Sequence, residues 1–229
     1  AVDELDLETH CFAIDTWSGD PETGYYESEV FKDLRSFHDP RYRHFSKLIR
    51  STFQEALDDF EDHSIDLLHI DGCHKYSAVK QDWINWRSKL SSRGVVLFHD
   101  TAVHEEGFGV WKLWHEVKQK YPSFEFDHGN GLGVLAVGKN YPLELNQILQ
   151  AEDQQEKAIK RFFQLTGNRI QQYFYPLQAA KGQHKDEDDY VGKLAEQEDR
   201  IEQLIIEHQK TKQDFYLVNS KLLEIYHSS

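Results

Sequence analysis

HIDGCHKY at 69–76 and LFHDT at 97–101 decide the fold. Each closes an apolar run that stops at aspartate: IDLLHID (65–71) ends on Asp71, and GVVLFHD (94–100) ends on Asp100. Continuous apolar runs of this kind are what a parallel strand buried on both faces requires. Between them, YSAVKQDWINWRSKL (76–90) sets Val79, Trp83, Trp86 and Leu90 on one helical stripe, and SSRG (91–94) supplies a break. The unit reads strand, helix, strand. In an open α/β sheet the carboxyl ends of neighbouring strands face a common crevice. Asp71, His74, His99 and Asp100 are therefore expected within reach of a single ligand.

Working outward, CFAID (11–15) and KLIRST (47–52) read as further strands, with a long loop between them over 16–45. Trp17, Asp20, Tyr25 and Tyr26 give that loop a composition able to stack on a sugar or an adenine ring, as a lid over the acceptor. VWKLWHEVKQKYP (110–122) is a helix stopped by Pro122, and FEFDHGN (124–130) with GLGVLAVG (131–138) is an antiparallel hairpin turning at Gly129, Asn130 and Gly131. The expected fold is α/β over residues 1–140, followed by a helical extension over 141–229. From 190 onward Leu194, Ile201, Leu204, Phe215, Val218, Leu222 and Ile225 recur at heptad spacing. That pattern predicts a coiled coil that pairs copies of the chain into a homo-oligomer; a helix folded onto the α/β domain is the alternative.

Charge and composition narrow the partners. Lys and Arg number 26 against 40 Asp and Glu, a net charge of −14 that repels phosphate backbones and anionic lipid. No nucleic acid partner is expected. Cys11 and Cys73 match no zinc spacing and fit a reducing, cytoplasmic setting. No apolar run reaches the roughly 18 residues of a membrane span, and no leader opens the sequence. Methionine is absent even at position 1, which reads as a fragment, a processed product or an unusual open reading frame.

These runs, taken in order with AIDTW-x-GD (13–20), the helix carrying Asp82 and Trp86, and FGVWKLW (108–114), resemble class I S-adenosylmethionine-dependent methyltransferases. More narrowly they are similar to a bacterial family with IDG-x-H-x-Y and HD motifs found near polysaccharide genes. The resemblance covers 11–138. It implies a Rossmann-like sheet ending in the hairpin, with S-adenosylmethionine as cofactor. It also implies that Asp15, which ends the family's second strand, takes the cofactor ribose hydroxyls, with Trp17 and Asp71 completing the cofactor-binding set. The family's first strand and glycine-rich turn have no counterpart, since no glycine precedes Gly19. The sheet is thus expected to be N-terminally truncated, with unpaired edges that favour oligomerisation.

Related O-methyltransferases hold a divalent metal on strand-end carboxylates. Asp71 and Asp100, with Thr101 as a weaker oxygen ligand, would suit Mg²⁺; nitrogen from His74 or His99 would suit Mn²⁺ or Zn²⁺ better. Alternatively His74 serves as general base, and Asp71, His74 and Asp100 form the catalytic set. Both aspartates could instead cap helices. Strand alternation turns His99 away from Asp100, which predicts a core histidine. Tyr76 and Trp111 are candidates for the acceptor pocket. The function implied is methyl transfer to a sugar or polysaccharide hydroxyl, metal-assisted. The alternative is a catalytically degenerate scaffold or oligomerisation module.

Overall fold

In a computed structural model the described residues are 2–3, 5–20 and 24–183, the side chains of Asp20 and 172–183 excepted. The heptad stretch expected from 190 lies outside them. Two compact units divide the chain, Ala1–Gln164 and Leu165–Ser229, and the α/β body belongs to the first. Its elements in order are β1 (Cys11–Asp15), β2 (Gly19–Asp20), β3 (Gly24–Tyr25), α1 (Ser28–Tyr42), β4 (Ser46–Arg50), β5 (Ile65–Ile70), α2 (Tyr76–Trp86), β6 (Leu90–His99), α3 (Val110–Val117), β7 (Ser123–Phe126) and β8 (Leu132–Ala136). The short α4 (Asn146–Leu149) and the long α5 (Asp153–Gln183) follow.

The main sheet has the order β5-β6-β8-β7. β5 and β6 run parallel, with Ile70 opposite Phe98, while β6 with β8 and β8 with β7 are antiparallel. Alternation along β6 sorts two cores. Val96 and Phe98 pack with Val79 and Trp83 of α2 and with Leu113, Trp114 and Val117 of α3. Val95 and Leu97 face the other way, onto Phe124, Phe126, Val134 and a cover made by Tyr141, Leu145, Ile148, Leu149 and Ile159. Phe98 and Trp114 are almost fully buried, each contributing roughly 1.5–3 kcal/mol of apolar transfer. Residues 141–159 thus close one face of the sheet.

Two local readings are corrected. The stretch 16–45 is not a structureless loop, because α1 occupies half of it. Phe31, Leu34, His38 and Tyr42 recur at helical spacing and are partly or fully buried; a polar composition and Pro40 hide that stripe in the sequence. SSRG is not a break either. α2 ends in one 3₁₀ turn, Arg87–Lys89, and β6 starts at Leu90, with Ser91–Gly94 absorbed by a bulge between the Ile65–Leu90 and Leu67–Val95 pairs.

β1 and β4 form a separate two-stranded parallel sheet with Cys11 opposite Ser46. Among the described residues β1 pairs only with β4 and β5 only with β6, so each carries one unpaired edge. Leu67 on β5 is 61% exposed and Phe12 on β1 is 49% exposed. No helix among the described residues is long and apolar enough to cross a membrane.

On α2, Asp82 is half-buried, and burial pushes its carboxyl up to about 6 from 3.8. A carboxyl that holds its proton more tightly folded than unfolded lowers stability as pH rises from about 4 to 6, and the loss persists above that. Asp82→Asn is expected to gain about 1 kcal/mol at pH 7, solvent screening having reduced the full linkage value. The gain should vanish near pH 4, as read from urea-denaturation midpoints at both pH values.

Candidate active site at the ends of β5 and β6

The parallel register that sets Ile70 opposite Phe98 brings the next residues, Asp71 and His99, side by side. Beyond His99 the chain turns sharply: Asp100 has φ +59, in the left-handed region that few non-glycine residues enter. Such conformations cost about 1–3 kcal/mol and concentrate at functional sites. The turn leaves the Asp100 side chain only 5% exposed, at the same end of the sheet as Asp71, which is 44% exposed.

Two imidazoles close on this buried carboxylate. His74 Nε2 lies 2.9 Å from Asp100 Oδ2. His99 Nδ1 lies 3.1 Å from Asp100 Oδ1 and 3.3 Å from Asp71 Oδ1. The His99 contacts are within ion-pair range but off hydrogen-bond alignment, and His99 Nδ1, Asp100 Oδ1 and Thr101 Oγ1 are all buried without a hydrogen-bond partner. A cluster of buried acceptors and donors left unsatisfied is unusual in a folded interior and marks a place built for something else. Asp71, His74 and Asp100 each offer a ligand atom within 4.8 Å of the others. Two carboxylates and one imidazole fit a divalent ion of the Mn²⁺ or Zn²⁺ type better than Mg²⁺, which prefers oxygen throughout. Thr101, 2% exposed, stands next to this set with its hydroxyl unpaired.

The surrounding loops hold His74 rigidly. Its ring stacks on Phe108 at 4.6 Å and 9°, and its carbonyl accepts the Gly109 N–H at 2.7 Å. A Cβ at Gly109 would stand 2.4 Å from the Tyr76 backbone nitrogen, so glycine is what lets the start of α3 approach the start of α2. On the opposite side the turn 128–131 packs on Thr101 and Ala102. Ala102 N–H donates to the Asn130 carbonyl at 2.9 Å. Gly131, at φ +90, leaves room where a Cβ would meet Thr101 Oγ1 at 2.7 Å.

The expected site residues therefore divide. Asp71, His74 and Asp100 come together, whereas Thr101 follows Asp100 in the chain with its hydroxyl next to Gly131. His99, read as a core histidine, is instead 38% exposed at the mouth of the site. It does face away from Phe98, but the strand ends there and the turn at Asp100 swings the carboxylate back to it. Asp15 and Trp17 sit on the separate β1/β4 sheet. Asp15 is exposed at the end of β1, and its Oδ1 accepts the Trp17 N–H at 2.5 Å. Trp17 itself has φ +48 and lies against Phe31. Tyr76 is engaged elsewhere: its hydroxyl donates to Glu116 and receives Lys80, which clamps α2 to α3. Trp111 lies against the His104 ring. His128, which no spacing singled out, joins His99, Phe126, Gly129, Asn130, Gly131, Leu132 and Phe163 around a cavity of about 300 Å³.

Residues 1–101 match the protein family described as a methyltransferase domain. The chain is 53% identical over 139 residues to an uncharacterized protein, y4gI, of Sinorhizobium fredii. That alignment takes in 61% of this chain but only 15% of the relative, so the chain spans a small part of that protein's length. Among solved structures, a Corynebacterium glutamicum protein aligns with TM-score 0.43 and 12% identity over 57% of this chain and 61% of its own. A Staphylococcus aureus protein described as a candidate caffeoyl-CoA O-methyltransferase aligns with TM-score 0.41 and 13% identity over 60% and 79%.

Gly109→Ala is expected to separate the starts of α2 and α3 and to release the His74 carbonyl. The resulting loss of the His74–Asp100 contact should appear as a changed histidine ring signal in NMR, with thermal stability lowered by about 1–3 kcal/mol.

Proposed function

We propose that this chain is an S-adenosylmethionine-dependent O-methyltransferase whose acceptor is a sugar or polysaccharide hydroxyl, with a divalent metal held by Asp71, His74 and Asp100. The observation that carries the reading is the buried Asp100 carboxylate, met by two imidazoles and by Asp71 at parallel strand ends, inside the segment that matches a methyltransferase domain. Bound S-adenosylmethionine supplies an electrophilic methyl group, and a bound divalent ion lowers the pKa of a coordinated hydroxyl.

The chain's own residues do the rest. Asp71, more exposed than Asp100, presents its carboxylate to an incoming hydroxyl, while Asp100 fixes the imidazole of His74. With His74 holding the ion, His99, touching both carboxylates, is the group placed to take the hydroxyl proton; His74 takes that role only in the alternative where it holds no ion. Asp15 binds and orients the cofactor ribose through its remaining carboxylate oxygen. The aromatic side chains of Trp17, Tyr25 and Tyr26 supply stacking surface beside it; Tyr25 is 79% exposed and Tyr26 46%. The second reading, a degenerate scaffold, is favoured by one observation: β1, which carries Asp15, shares no ladder with β5, which leads to Asp71.

Calorimetric titration with S-adenosylmethionine separates the two, with saturable heat expected for the enzyme and none for the scaffold. Asp71→Ala, at an exposed position, should leave the melting temperature essentially unchanged and cut turnover by about 10²-fold or more. Unaltered turnover rejects the role given to Asp71.

A further inference from the structure

The cavity on the face of β6 opposite α2 and α3 has no part in the proton transfer just described, yet His99 belongs to both. It is bounded by His99 at the end of β6, Leu132 at the start of β8, Phe126 at the end of β7, the turn carrying His128 and Asn130, and Phe163 of α5. Phe126 and Phe163 meet edge to face at 4.9 Å, and the His128 ring approaches Phe126 at 5.8 Å. His128 Nδ1 is buried without a hydrogen-bond partner.

At about 300 Å³ the cavity stands at the bottom of the range for small-molecule sites, roughly 300–1,000 Å³. It has room for one ring. Its walls interleave phenyl groups with an amide and two imidazoles. A phenyl face carries negative quadrupolar charge that suits C–H bonds, and a pyranose offers those on one face and hydroxyls around its rim. A flat phenol would leave most of the polar partners idle, among them the buried His128 Nδ1.

We infer that this cavity seats a single pyranose, the terminal residue of the acceptor sugar. Phe163 and Phe126 lie against its apolar face, and His128 and Asn130 are the hydroxyl contacts that set specificity. The ring then stands beside His99, with one hydroxyl directed toward Asp71 and Asp100. The inference rests on the methyltransferase reading for the fate of that hydroxyl and not for the binding of the ring.

The test is saturation-transfer NMR on the full chain with a panel of methyl hexopyranosides and methyl 6-deoxyhexopyranosides, beside phenol and catechol. Phe163→Ala and His128→Ala are the variants; Phe163 is 43% exposed, so its truncation spares the core. Ring-proton signals are expected from at least one pyranoside, falling at least fivefold in both variants, while titration with S-adenosylhomocysteine gives the same result in variants and parent. The inference is overturned by silence from every pyranoside, by signals that survive both substitutions, or by signals from the phenols alone. Pyranoside contacts that both variants abolish, in a chain that binds no S-adenosylhomocysteine, would uphold the cavity assignment and defeat the methyltransferase reading instead.

Discussion

A carboxylate buried at the end of β6 governs the site. Asp100 is 5% exposed, and taking an ionised carboxylate out of water costs several kcal/mol unless charge or hydrogen bonds replace the lost hydration. His74 at 2.9 Å supplies one partner, yet Oδ1 remains without a hydrogen bond beside His99 and Asp71. An arrangement of this kind is under-compensated by the protein alone. The left-handed backbone at Asp100 adds to the cost. Packing therefore sustains it: Phe98 and Trp114, both nearly inaccessible, fix the end of β6 and the start of α3 around the loop that carries the aspartate.

Strand alternation then distributes the chemistry between two faces. Phe98 and its neighbours commit one side of β6 to helices α2 and α3, which carry no reactive side chain into the site beyond the loop holding His74. Leu97 and His99 commit the other side to the core under residues 141–159, and there the last position opens into a cavity instead of a packed interior. His99 is the joint between them. Its ring lines the cavity while its Nδ1 reaches both carboxylates, so a ligand held on one face is placed next to acids held on the other.

Much of this was legible in the sequence. The apolar runs ending at Asp71 and Asp100 specify parallel strands, and adjacency of strand ends follows from topology, so the grouping of Asp71, His74 and Asp100 needs no coordinates. The stripe Val79, Trp83, Trp86 likewise predicts the buried face of α2. What escaped depends on features with no local signature. The exposure of His99 escapes the strand pattern because alternation governs a strand's interior and lapses at its last residue, where a positive φ at Asp100 sets a new direction. His128 was passed over because its nearness to His99 comes from antiparallel pairing of β6 with β8, which sets His99 opposite Leu132 and so brings the preceding turn alongside. α1 was read as loop because a helix with one narrow buried stripe and a proline near its end has a mostly polar sequence.

The two sheets differ in how firmly they can hold a ligand. Asp71, His74, His99 and Asp100 all stem from or adjoin a four-stranded sheet with a core on each face of β6, so this half of the candidate site is held by packing. Asp15 and Trp17 stem from a two-stranded sheet that shares no ladder with the first, and β1 itself is half-exposed at Phe12. Preorganised groups bind without an ordering cost, whereas groups on a loosely tied element draw that cost from the binding energy of whatever orders them. A cofactor gripping Asp15 at one end and approaching Asp71 at the other would bridge the unpaired edges of β1 and β5. Its adenosine end would then do the ordering, and its reactive end would meet residues already in place. On the proposed reading, affinity for the cofactor follows the more loosely tied sheet and rate the firmly packed one.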